Sequence, residues 1–79
     1  MIRSVPGRTP KVHPGAFVDI AAQVIGDVTI DDGASVWPFS ILRGDQDTYV
    51  RLGRNSNVQD NSVLQVTPEF PCIVGAGVT

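Results

Sequence analysis

The chain has 79 residues, a mass of 8.4 kDa and a net charge of −2, which allows one small domain. A core of that size buries only about two thirds of the surface that the unfolded chain exposes, so one copy has modest stability and association is a ready way to bury more. The six basic residues are dispersed, without the Lys/Arg stripe a phosphate backbone needs, and no apolar run nears the roughly 18 residues of a membrane span; nucleic acid and membrane are therefore not expected as partners.

The first 17 residues read as an entry segment. Within it MIRSVPGRTPKVHPG lacks the apolar stretch of a secretory signal, and Pro6 and Pro10 argue against an amphipathic transit helix despite the arginines and missing acids. The single cysteine, Cys72, excludes an internal disulfide and fits a reducing compartment. A cytoplasmic protein is expected. His13, the only histidine, precedes Pro14 with no visible partner and reads as part of the entry segment rather than a ligand or base.

Residues 18–79 carry a period of six. Val18, Val24, Ile30, Val36 and Leu42 follow one another at that spacing, and a small residue stands four positions after each of the first four: Ala22, Val28, Ala34 and Ser40. The count breaks by four, resumes at Leu52, Val58 and Leu64, breaks by four again and resumes at Val74. Ser56 and Ser62 continue the small positions. Helical periodicity is absent, and Val, Ile and Thr favour strands. The pattern implies a three-sided coil in which a large aliphatic side chain fills the interior every six residues and the small residue fits at a corner. Ile25-Gly26-Asp27 and Asp31-Asp32-Gly33 supply corner residues that tolerate tight or positive-φ turns. An antiparallel sandwich would instead alternate, with turns every 8–12 residues.

Assigning hexads in turn to faces a, b and c puts Val18, Val36 and Val58 on face a. Val24, Leu42 and Leu64 fall on face b, and Ile30, Leu52 and Val74 on face c. Both insertions, Asp45 to Val50 and Val66 to Cys72, then lie at the b/c corner, one above the other. Arg43 and Gln65 each follow the face-b aliphatic, so they point outward on adjacent coils about 4.8 Å apart. Loops on a rigid scaffold commonly carry binding residues, which makes this ridge the candidate site. Cys72, at the end of the second insertion, reads as a small apolar packing residue with no basic neighbour to activate it. Trp37, Phe39, Tyr49 and Phe70 read as packing or interface residues. Asp45, Gln46, Asp47, Asp60 and Glu69 offer oxygen ligands to a hard cation, but no loop with calcium spacing is present.

At this point the sequence resembles the γ-class carbonic anhydrases and their relatives. The resemblance rests on Val24-Ile25-Gly26-Asp27-Val28, Ser35-Val36-Trp37-Pro38, Leu42-Arg43-Gly44-Asp45, the central Asn57-Val58-Gln59-Asp60-Asn61-Ser62-Val63, and the run from Pro71 to Thr79. It covers nearly the whole chain from about Val12 and corresponds to the family's N-terminal half. It implies an all-β, left-handed parallel β-helix of about three coils built from hexapeptide repeats, here without the family's C-terminal helix. The hand comes from this resemblance, since parallel crossovers are otherwise right-handed in about 98% of cases.

The resemblance further implies a homotrimer in which Arg43 and Asp45 bridge neighbouring subunits. Gln59 would orient metal-bound water or bicarbonate, supported by Asn57 and Asp60, and the metal, usually zinc, would sit on three histidines between subunits. Here Gln65 stands where the family has its first histidine, and the chain stops at Thr79, before the segment of the other two. With no cofactor expected as given, carbonate dehydratase activity is not expected either, because a carboxamide is a poor zinc ligand and no metal would lower a water pKa toward 7. The leading reading is a trimeric noncatalytic scaffold or small-molecule or anion binder. The alternative is a piece of a zinc-dependent carbonic anhydrase that hydrates CO₂ reversibly. A hexapeptide acyltransferase is a further alternative, for which the coil region lacks a histidine base. The last coil is expected to be covered, most simply by a second trimer meeting the first end to end.

Overall fold

The computed structural model describes residues 1–45 and 48–79. Gln46 and Asp47, considered above as oxygen ligands, lie outside the described residues. Eleven short strands and no helix occur among those described: β1 (Ile2–Arg3), β2 (Lys11–Val12), β3 (Phe17–Val18), β4 (Gln23–Gly26), β5 (Val28–Ile30), β6 (Ser35–Val36), β7 (Ile41–Gly44), β8 (Val50–Leu52), β9 (Asn57–Val58), β10 (Val63–Gln65) and β11 (Cys72–Val74). They form three sheets, ordered β3-β6-β9 on face a, β1-β4-β7-β10 on face b and β2-β5-β8-β11 on face c. Every neighbouring pair is parallel. The chain is an all-β solenoid of about three turns with a triangular section, the arrangement of the left-handed β-helix.

The period of six becomes the register between coils. Val18 pairs with Val36 and Val36 with Val58; Val24 pairs with Leu42 and Leu42 with Leu64; Ile30 pairs with Leu52 and Leu52 with Val74. Because side chains alternate along a strand, this register stacks one aliphatic column inside each face. Val24, Val36, Leu42 and Leu52 are wholly buried, and Val18, Leu64, Cys72 and Val74 pack partly buried against them. The first 17 residues contribute β1, which pairs with β4, and β2, which pairs with β5.

Corners follow local chemistry. At the c/a corner, successive coils place Gly33, Asn55 and Gly77 at φ of 73°, 57° and 70°, where glycine and asparagine meet little steric cost. At the b/c corner, a Cβ on Gly26 would come within 2.5 Å of the Gly44 carbonyl oxygen, and one on Gly44 within 2.2 Å of the Asp27 carbonyl oxygen. Only glycine lets these coils stack there. Ser40 and Ser56 are buried polar residues at small positions. Their hydroxyls donate to the carbonyls of Gln59 (2.6 Å) and Gly75 on the following coil, so neither is left unsatisfied.

A candidate anion ridge at the b/c corner

β7 and β10 pair Arg43 directly with Gln65, one residue beyond the buried Leu42 and the partly buried Leu64. Both side chains therefore leave face b on the same outward row, where the chain turns into the two insertions. Gly44 makes the turn compact, and Asp45 folds back onto Arg43: Nη2 donates to Asp45 Oδ2 at 2.8 Å and Nε to the same oxygen at 3.3 Å. The pair is half-buried, with 42% of the arginine and 26% of the aspartate side chain exposed, so solvent screens only part of it. The hydrogen bond from Arg43 holds the Asp45 carboxyl below the usual carboxylate range, aided by the positive fields of Arg43 and Arg8, while burial opposes the shift.

The insertions meet as the spacing implies. Thr48 Oγ1 contacts the carbonyl oxygens of Thr67 (2.5 Å) and Phe70 (3.0 Å), and Cys72 N–H donates to the Tyr49 carbonyl at 3.0 Å. The second insertion closes on itself, since Thr67 N–H donates to the Phe70 carbonyl and Phe70 N–H to Thr67 Oγ1. Thr48 links the two insertions, a role that periodicity did not single out. Only the coil-to-coil register brings it under a turn 19 residues later.

Asn57, Gln59 and Asp60 stand elsewhere. Asn57 lies on β9 and pairs with Ser35, while Gln59 and Asp60 lead into the a/b corner, all away from the face carrying Arg43 and Gln65. Gln59 Nε2 donates to Asn57 Oδ1, and Asn57 Nδ2 to Thr79 Oγ1 at 3.4 Å, which makes an amide ladder on face a. Asp60 is exposed. Within one chain the two groups do not converge. On the same face Phe17 stacks on Trp37, with ring centroids 5.0 Å apart at 43°, and Trp37 Nε1 donates to Ser35 Oγ at 3.0 Å. Phe39, Tyr49 and Phe70 are exposed.

His13 stays outside both groups. Its Nδ1 accepts the Gly15 N–H at 2.9 Å and lies 3.4 Å from Asp32 Oδ1, at the c/a corner rather than on the ridge.

The described side chains that line the ridge beside Arg43 are its guanidinium, the Asp45 carboxylate and the Gln65 carboxamide. Among the described residues no three His, Cys, Asp or Glu side chains gather as metal ligands. Zinc prefers imidazole and thiolate, with carboxylate as a supplement, so the donors this chain brings to the ridge do not fit that ion. They do fit an oxyanion: a guanidinium fork addresses planar oxygens, and amides donate to them.

No family model matches the chain. Among curated proteins, it is 38% identical over its whole length to a carbonic anhydrase of Geobacillus kaustophilus, covering 43% of that protein. It is 40% identical over 99% of its length to the mitochondrial gamma carbonic anhydrase 1 of Arabidopsis thaliana, covering 30% of it, and 40% identical over 89% to Protein YrdA of Escherichia coli, covering 41%. The chain thus spans between three tenths and just over two fifths of the length of these relatives. Over that part of its relatives' length, the chain belongs to the γ-class carbonic anhydrase-like family of hexapeptide β-helices.

Proposed function

We propose that the chain forms a trimer whose b/c ridge binds a small oxyanion of the bicarbonate class at the boundary between copies, as a noncatalytic binder in the cytoplasm. The observation that carries this reading is the separation of Arg43, Asp45 and Gln65 on face b from Asn57 and Gln59 on face a. A site using both groups needs two copies, with the guanidinium of one facing the amide ladder of the next. The Arg43–Asp45 pair then also serves the subunit contact. Residue 65 supplies a carboxamide, so this part of the protein contributes no imidazole at that place.

The test uses calorimetric titration with bicarbonate. Wild type binds it saturably, and both Arg43→Ala and Gln59→Ala abolish binding. Refolding the two variants together restores part of it, because mixed trimers contain boundaries with both groups intact. Binding by Gln59→Ala at wild-type affinity, or no recovery on mixing, overturns the shared site.

A second reading, in which the ridge belongs to a zinc-dependent carbonate dehydratase, is favoured by the names of the relatives above. In that case the imidazoles come from sequence outside these 79 residues. Metal analysis with a CO₂ hydration assay separates the two: stoichiometric zinc with activity in this chain overturns the noncatalytic reading.

A further inference from the structure

Charge is unevenly placed along the solenoid axis. Residues 1–18 hold Arg3, Arg8 and Lys11 and no acid, leaving three basic residues against all eight acidic ones in the remainder. Two structural facts bring this excess over the ridge. Arg3 pairs with Ile25, Ile25 with Arg43 and Arg43 with Gln65, so the two arginines share one outward row, two rungs or about 10 Å apart at the backbone. The hairpin closed by Val5 and Arg8, through backbone bonds of 2.9 and 2.8 Å, rests on the b/c corner. There a Cβ on Gly26 would lie 3.3 Å from Val5 Cγ2. Gly26 in turn pairs with Gly44, the residue before Asp45. Arg8 is close enough for its charge to help lower the Asp45 pKa.

We infer that Arg3 and Arg8 are specificity-determining residues of the ridge, selecting small oxyanions by their charge. The inference rests on the oxyanion reading of the ridge and goes beyond it by naming groups from the first coil. Among the described residues this corner carries two carboxylates, Asp45 and, one coil above it, Asp27, against three guanidiniums: Arg43 hydrogen-bonded to Asp45, with Arg3 and Arg8 a coil or more above. Charges at that distance act through the Coulomb field rather than by contact, so their effect scales with the charge of the ligand. A unit charge about 10 Å away in water changes the affinity of a monoanion about two-fold and that of a dianion about four-fold. Salt removes the effect, since the Debye length falls from about 30 Å at 0.01 M to about 3 Å at 1 M.

The experiment titrates the whole chain with bicarbonate and with sulfate at low ionic strength and again at 1 M sodium chloride. Wild type is compared with Arg3→Gln, Arg8→Gln, Arg43→Gln and, at the c/a corner, Arg54→Gln; an amide correlation spectrum confirms that each variant is folded. The expected result is an affinity loss for Arg3→Gln and Arg8→Gln of about two-fold for bicarbonate and about four-fold for sulfate, gone at 1 M salt, with a smaller loss in Arg54→Gln. Wild-type affinity in Arg3→Gln and Arg8→Gln, with binding lost in Arg43→Gln, overturns this inference and leaves the ridge reading intact. Equal losses in Arg54→Gln overturn it too, since net charge alone then accounts for the effect. Wild type that binds neither anion overturns the ridge reading and this inference together.

Discussion

Arg43 and Asp45 flank a glycine that alone allows the corner, so their pairing follows from three adjacent residues. Because the folded pKa of Asp45 is lowered, the unfolded state takes up its proton first as pH falls. The stabilisation is complete above the unfolded value of about 4 and is lost as pH drops through the folded value. Urea midpoints of wild type and Asp45→Asn should therefore differ at pH 7 and converge at low pH; a constant gap would mean that the carboxylate charge contributes nothing. Gln65→His should not create a tight zinc site, because one imidazole beside amides falls short of the three protein ligands zinc usually takes. Calorimetric titration with zinc checks this, and stoichiometric tight binding would contradict the donor set described above. Phe39 holds φ at 62° while 66% exposed, and Asn61 takes the same φ at the same corner one coil later. Phe39→Asn should raise stability by about 0.5–1 kcal/mol, since asparagine tolerates that region better than an aromatic residue does. A lower denaturation midpoint would mean that ring contacts outweigh the strain. Sequence order put Gln65 beside Arg43, but nothing in the residue type foretold the backbone of Phe39. That φ comes from stacking: Phe39 N–H donates to Ala21 O at 3.3 Å, and Asn61 N–H to Pro38 O at 3.2 Å.

Strands of two to four residues have no stability of their own and gain it from the column each adds to. Leu42 stands in the middle of face b, wholly buried between Val24 and Leu64, so Leu42→Ala should cost about 2–5 kcal/mol. Val63, next to Leu64 on the following strand, is 55% exposed on the outward row, and Val63→Ala should change stability by less than about 0.5 kcal/mol. Thermal unfolding of both variants checks the inside–outside assignment; similar losses would mean that the face is inverted. The same period placed both insertions at one corner, as observed. It did not reveal Thr48 as the link between them, nor the amide ladder of Asn57 and Gln59, because each depends on side-chain geometry between coils.

At the scale of the molecule, the parallel stack is a one-dimensional assembly in which each coil contacts its neighbours, and both halves of the proposed site face outward. If Arg43 and Asp45 hold copies together, Arg43→Ala should shift sedimentation from trimer to smaller species; a trimer of unchanged stability would assign the pair to its own chain only. Among the described residues no helix is long and apolar enough to cross a membrane. The period of six by itself determined the three faces, the inward column on each and the shared corner of the insertions, because side-chain alternation and corner size are local properties of the chain. What the sequence left undecided were relations between residues one or two coils apart: the grip of Thr48 on the second insertion, the left-handed φ of Phe39, and the placing of Arg3 and the Arg8 hairpin above Arg43. Those depend on parallel register between segments distant in sequence. Only the stacked structure fixes it, through backbone hydrogen bonds that every residue type except proline makes alike.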